Sequence, residues 1–241
     1  VTIGLKLAPT NQDIRNTAGS ALDQILIGNV YEGIVARDSK NQVAPAIASS
    51  WETSRDGLTY TFHLNKNMTF SNGDKLDAED VAWSINELIA KGYHDADALA
   101  AVSKVEAKDA DTAVITLKTS NSNLLWTLTG RAGLVFDKDA KYDLKTQAVG
   151  SGPYTVAKFV ENSSITLKAN EKYWGKNKAK TPTVVVKYLA DDNAAVNALK
   201  SGGVQVLAPI TENLAEPFKS DSAKYTVKAG NGTDKRSEEH T

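Results

Sequence analysis

The sequence predicts an α/β fold with helices packed on a sheet, and three features carry that reading. From residue 182 onward strand and helix patterns alternate, through "PTVVVKYL", "DDNAAVNALKSGG", "VQVL", "ENLAEPF" and "KYTVKA". Such alternation places helices against a sheet. Residues 35–148 have a different rhythm, with strands set off by turn residues around one strongly marked helix. The 241 residues suffice for one large domain or two small ones with a substantial core. Two differently patterned regions, 35–148 and the rest, therefore share the chain.

The first element is a strand in "VTIGLKLAP", where Ile3, Leu5 and Leu7 alternate until Pro9. In "ALDQILIGNVYEGIV" the apolar positions Leu22, Ile25, Leu26, Val30 and Ile34 follow helical spacing, with Gly33 as the stop. "LTYTFHL" puts Tyr60, Phe62 and Leu64 on one face of a strand, and "TAVITLK" does the same with Ala113, Ile115 and Leu117. Turns at Asp56-Gly57 and at Asp109 to Asp111 introduce them.

Between these strands, "LDAEDVAWSINELI" carries the clearest helix start. Asp77 is the N-cap, Asp80 reaches back as in a capping box, and Leu76 and Val81 form a hydrophobic staple. Trp83 falls off the Val81/Ile85/Leu88 stripe and is expected to be a partly buried packing residue. Beyond residue 148, "YTVAKFV" and "SITLKAN" flank Glu161-Asn162-Ser163 as a hairpin. "PTVVVKYL" is expected as a buried strand. The helix of "DDNAAVNALKSGG" has aspartates at its start, where the helix dipole favours them, and glycines at its end.

Composition removes several function classes. A net charge of −1 does not fit a nucleic-acid binder, which needs a basic stripe. With no cysteine there is no disulfide, thiolate nucleophile or cysteine zinc site. No apolar run approaches the ~18 residues of a membrane-spanning helix. His63, His94 and His240 lack a second ligand at helical or hairpin spacing, so no metal site is expected. No nucleotide-binding or nucleophile motif is present, and "GSGP" (Gly150 to Pro153) is a tight turn, since Pro153 would not open a phosphate-cradling helix. Asp77, Asp80, Asp191 and Asp192 are better explained by helix starts than by acid–base chemistry. Nothing assembles a nucleophile with a base and an oxyanion donor, so an enzyme is not expected from these residues.

Several ordered stretches resemble the extracytoplasmic solute-binding proteins of family 5, the receptors of peptide and nickel ABC importers. They are "NVYEGIV" (29–35), "PAIASSWETSRDGLTYTFHL" (45–64), "MTFSNGDKLDAEDVAWSI" (68–85), "VGSGPYTV" (149–156), "NEKYWG" (170–175) and "DDNAAVNALKSGGVQVL" (191–207). The departures are Asp77 and Ser151 where the family usually has threonine, and "GGVQV" without the usual acidic residue. The resemblance implies a periplasmic-binding-protein-like lobe I, made of 1–34 and 149–235, with a mostly antiparallel α+β subdomain inserted at 35–148. Family members are roughly twice as long, so it also implies a second lobe not present in this chain. The polar tail 236–241, "RSEEHT", matches the translation of a common sequencing adapter, AGA TCG GAA GAG CAC ACG. The expectation is a non-native ending without packed contacts.

By the same resemblance, ligand binds between two lobes that close over it, and the closed form docks on a membrane permease. The implied ligand is a peptide or other small solute, with no cofactor and no nucleic acid, and the implied protein is an extracytoplasmic monomer, periplasmic or a cell-surface lipoprotein. The implied ligand-facing residues are Ala8, Thr10 and Asn11 after the first strand, with Arg131 and Tyr93 from the inserted segment. Each has a plainer alternative: Thr10 and Asn11 as turn formers after Pro9, Arg131 as a solvated surface charge. The alternatives for function are a nickel-, sugar- or other solute-specific relative or a chaperone-like binder, with a hydrolase third, since carboxylate pairs need no motif. The "APTNQ" loop has neither aromatic nor histidine, which tilts against a metal ligand.

Overall fold

The computed structural model describes residues 1–228. The expected tail at 236–241 lies outside the described residues, as does His240. Eleven strands and five α-helices occur among the described residues. Their core is a five-stranded mixed sheet with β1 (Thr2–Leu5), β8 (Tyr154–Val160), β9 (Ser164–Ala169), β10 (Thr183–Tyr188) and β11 (Val206–Leu207). Its order is β11-β1-β10-β9-β8. β1 runs parallel to both neighbours, with Leu5 opposite Tyr188 and Gly4 opposite Leu207. The expected hairpin forms β8 and β9, antiparallel, with Asn162 at positive φ in its turn.

A second, antiparallel sheet has the order β4-β5-β7-β6, from β4 (Ala48–Thr53), β5 (Thr59–Leu64), β6 (Val102–Asp109) and β7 (Thr112–Leu117). A short ribbon of β2 (Val35–Arg37) and β3 (Val43–Pro45) leads into it. Tyr60, Phe62 and Leu64 are all buried, as the period-two pattern of β5 requires. Helix α2 (Ala78–Lys91) packs on this sheet. Asp77 Oδ1 accepts the Glu79 amide at 2.9 Å and Asp80 Oδ2 accepts the Asp77 amide at 3.0 Å, completing the capping box. Gly92 ends the helix in the left-handed region at φ 62°. Leu76 and Val81 are buried together, and Trp83 is half-buried as expected.

Two apolar clusters result. One fills the second sheet under α2, and the other joins Leu5, Ile165, Leu167 and Val186 of the mixed sheet to Ile14, Leu22, Leu26 and Tyr31. Leu134, Phe136 and Leu144 also pack into the latter.

Four expectations need correction. β1 stops at Leu5, and Leu7 is 47% exposed. The helix expected through Ile34 is only one turn, α1 (Asp23–Leu26). Gly28 at φ +74° takes the chain out of it, Gly28 N donates to Tyr31 O at 2.7 Å, and Ile34 N then bonds Gly133 O at 2.9 Å. The apolar positions are still buried, but by a turn rather than a helix. β10 is central in the sheet, yet only Val186 in it is fully buried. Finally, residues 225–228 are not a strand, because the Lys224 and Tyr225 amides turn back to Asp221 O and the Tyr225 ring packs on Phe218 at 4.8 Å. Helices α4 (Asp192–Lys200) and α5 (Glu212–Lys219) form as expected, and Asp191 Oδ1 caps α4 by accepting the Ala194 amide at 2.7 Å. A further one-turn helix, α3 (Leu124–Thr127), precedes the segment that reaches Arg131.

Candidate ligand-binding rim

The connectivity of the mixed sheet defines where a ligand can sit. The chain leaves β10, passes through α4 and returns on the far side of β1 as β11. In sheets of this kind, ligands bind outside the carboxyl ends of parallel strands, where the strand order reverses. Here that rim follows Leu5, Tyr188 and Leu207, so the loop after β1 projects from its middle. The hairpin turn at 161–163 lies at the same end, because Val160 and Ser164 pair there and Ser164 faces Lys187. Lys6 Nζ bridges Asp192 Oδ1 at 3.0 Å, tying the β1 loop to the start of α4.

Ala8, Thr10 and Asn11 are all in this loop. Ala8 is half-buried and Thr10 exposed. Asn11 Oδ1 accepts the Asp13 amide at 2.8 Å and the Thr17 hydroxyl at 2.7 Å, so its side chain also shapes the loop. Thr10, Asn11 and Gln12 line a cleft of about 700 Å³ with residues 145–149, the outer part of β8 and Glu161. Gln12 is 3% exposed. Its amide nitrogen donates to Thr146 O at 2.7 Å, while its Oε1 has no partner among the described residues.

Arg131 is placed elsewhere. It is 6% exposed, which corrects the alternative of a solvated surface charge. Nε donates to Asp23 Oδ1 at 2.5 Å, Nη1 to the carbonyls of Ile14 and Thr17 at 3.0 and 2.6 Å, and Nη2 to the Gly19 carbonyl. Its guanidinium clamps the 14–23 loop and does not face open space. Tyr93 is half-buried with its ring centroid 4.8 Å from Arg15 Cζ. Arg15 escaped the sequence reading because its aromatic partners at 83, 93 and 136 are distant in sequence.

At the opposite end of the sheet is a second cleft of about 900 Å³, bordered by Glu32, Tyr173, Trp174 and Arg37. Glu32 is 9% exposed and accepts from Tyr173 Oη at 2.6 Å, Trp174 Nε1 at 3.0 Å and Ser151 Oγ at 3.0 Å. Burial raises its carboxyl pKa above the usual range, although the three donors favour the charged form. The "GSGP" turn belongs to this hub. A Cβ on Gly150 or Gly152 would overlap the carbonyl oxygens of Val30 or Asn29, so only glycine lets the turn lie on that backbone. Asn170 Nδ2 holds the turn by donating to Gly152 O at 3.0 Å. The stretches "NVYEGIV", "VGSGPYTV" and "NEKYWG" thus meet around one buried carboxylate.

Residues 42–237 match the profile of the bacterial extracellular solute-binding proteins, family 5 middle. The chain belongs to this family. Members of this family are extracellular solute-binding proteins. Among curated proteins, this family 5 chain is 31% identical over 209 residues to protein XP55 of Streptomyces lividans, covering 83% of itself and 38% of that protein. It is 24% identical over 227 residues to the dipeptide-binding protein DppE of Bacillus subtilis, covering 85% of itself and 42% of the relative. Among solved structures, NikZ of Campylobacter jejuni, crystallised with Ni(L-His), superposes with a TM-score of 0.81 at 23% identity, over 92% of this chain and 45% of that one. The family 5 chain therefore spans less than half the length of these relatives. Among the described residues no helix is long and apolar enough to cross a membrane, and no group of three or more acidic or histidine side chains is placed to hold a metal.

Proposed function

We propose that the chain forms one wall of the substrate-binding receptor of an ABC importer, and that its ligands are peptides. The observation that carries this is the position of the β1 loop. Ala8, Thr10 and Asn11 stand at the carboxyl rim of the sheet, where the strand order reverses and a cleft of about 700 Å³ opens. In this reading the loop's main-chain groups and the Thr10 and Asn11 side chains hydrogen-bond an extended ligand backbone, and Tyr93 borders it. Arg131 acts through the loop it clamps. The family membership and the dipeptide-binding relative support the reading. Closure over the ligand, docking on a permease and a monomeric, extracytoplasmic state belong to the same proposal.

Small-ligand sites enclose about 70–90% of the ligand surface, more than one wall can cover. The test is calorimetric titration of the 241-residue chain with di- to pentapeptides, and separately with nickel–histidine and with sugars. Peptide heats that saturate only in the millimolar range are expected. Binding of nickel–histidine or a sugar, with none for peptides, would replace the peptide reading. Micromolar peptide binding would overturn the two-lobe mechanism.

A further inference from the structure

The loop that carries Thr10 and Asn11 also carries a cation without a counter-charge. Arg15 Cζ lies 4.8 Å from the centroid of Tyr93, 4.9 Å from Phe136 and 6.0 Å from Trp83. Its Nε is sealed from solvent and has no hydrogen-bond partner. The two Nη nitrogens also make no hydrogen bond or salt bridge among the described residues, and unlike Nε they are not fully sealed from solvent. The nearest carboxylate in sequence, Asp13, is occupied. Its Oδ1 accepts the amides of Arg15 and Asn16 at 3.0 and 3.3 Å, and its Oδ2 accepts the Asn16 side chain at 2.8 Å. Arg131, by contrast, has every guanidinium nitrogen engaged.

Burying part of a guanidinium without an anion is costly, and aromatic faces offset only a share of that cost. They do something else as well, fixing the plane of the fork. Tyr93 and Phe136 both come from the 35–148 segment, and His94 N donates to Arg15 O at 2.9 Å, so the backbone under the fork is held too. A rigid planar fork with free Nη donors matches one ligand group best, a carboxylate bound by two parallel hydrogen bonds.

We propose that Arg15 is the carboxylate-recognising group of this wall, selecting ligands that carry a free carboxylate at the end that meets the β1 loop. The inference deepens the peptide-receptor reading and rests on it for the kind of ligand. Tyr93 borders the site as the ring that orients the fork, a positioning role. A lysine at this position would keep the charge but not the fork, so Arg15→Lys separates recognition of shape from simple attraction.

The test follows the Arg15 Nε–H and the His94 backbone amide by NMR on the 241-residue chain. Sodium acetate is titrated against sodium chloride at matched ionic strength, then Ala-Ala against Ala-Ala amide. Acetate is expected to shift both signals saturably where chloride does not. Ala-Ala should bind at least tenfold more tightly than its amide, and Arg15→Lys should bring the His94 response to Ala-Ala down by a similar factor. If that variant does not fold, the acetate and amide comparisons on the unsubstituted chain decide alone. Absence of a saturable acetate shift at Arg15 overturns the inference. So does equal binding of Ala-Ala and its amide, which would leave the peptide reading intact. A saturable acetate response with no binding of Ala-Ala would sustain Arg15 as a carboxylate site and remove the peptide reading instead.

Discussion

Tyr173 Oη donates to Glu32 Oε1 at 2.6 Å, joining residues 141 positions apart around a buried carboxylate. No cation pairs with Glu32 among the described residues, so its charge depends on three neutral donors. Tyr173→Phe removes the shortest of these and should destabilise the chain by about 1–3 kcal/mol in urea unfolding at pH 7. Glu32 already has a raised pKa, so its contribution to stability is greatest at low pH and falls as pH rises through the folded value. Without Tyr173 that decline should extend to higher pH, which carboxyl-carbon NMR of Glu32 would show. An unchanged titration would mean that the hydroxyl does not support the charge.

Glycine substitutions should separate lack of space from backbone conformation. Gly152→Ala meets the Asn29 carbonyl and Gly150→Ala the Val30 carbonyl, neither of which can rotate away. Each should cost about 1–3 kcal/mol or more, the range of overpacking. Gly28→Ala has no atom within 4 Å but requires φ +74°, so its cost should be nearer ~1 kcal/mol. Thermal unfolding of the three variants gives the order, and a tolerated Gly152→Ala would show that the turn can lift off the 29–30 backbone.

Arg131→Gln should unfold the 14–23 loop from the body. Removing the guanidinium leaves Asp23 and the carbonyls of Ile14, Thr17 and Gly19 without their donor. Loss of one partner from a fully buried ion pair costs about 3–5 kcal/mol, and because Asp23 is partly exposed the loss should fall below that range. Thr10→Ala, on an exposed side chain, should stay within about 0.5 kcal/mol while weakening peptide binding. Equal stability losses would contradict the division between clamp and rim.

Asp80 should titrate unusually high. Its carboxyl is pushed up to about 6, first by burial and further by Asp77 and Asp137, against the amides of Asp77 and Lys138 that favour its charge. The ordinary value is 3.8, so the folded state takes up a proton between there and about 6. The stability contribution is therefore full below the ordinary value and lost as pH rises through about 6. Urea midpoints for the unsubstituted chain should carry this downward slope, and Asp80→Asn should flatten it. An identical slope in both proteins would assign the effect to another group.

What the sequence by itself determined is local. The α2 start, with Asp77 and Asp80 three residues apart, the β8/β9 hairpin around Asn162, the Asp191 cap of α4 and the buried face of β5 all depend on neighbours within about one turn or one strand. The ordered family stretches were equally legible, but not what they do together. Only the tertiary structure decided that Glu32 gathers Ser151, Tyr173 and Trp174 across 119 to 142 positions. It alone decided that Arg131 is a buried clamp, and that Arg15 stands among Trp83, Tyr93 and Phe136. It also overrode local pattern where long-range bonds competed. The apolar spacing from Leu22 to Ile34 fits a helix, yet Gly28 turns the chain so that Ile34 can bond Gly133. Local signals act through bonds a few residues long. The environment of a charged side chain is set by whichever distant segments pack around it, and no periodicity records that choice.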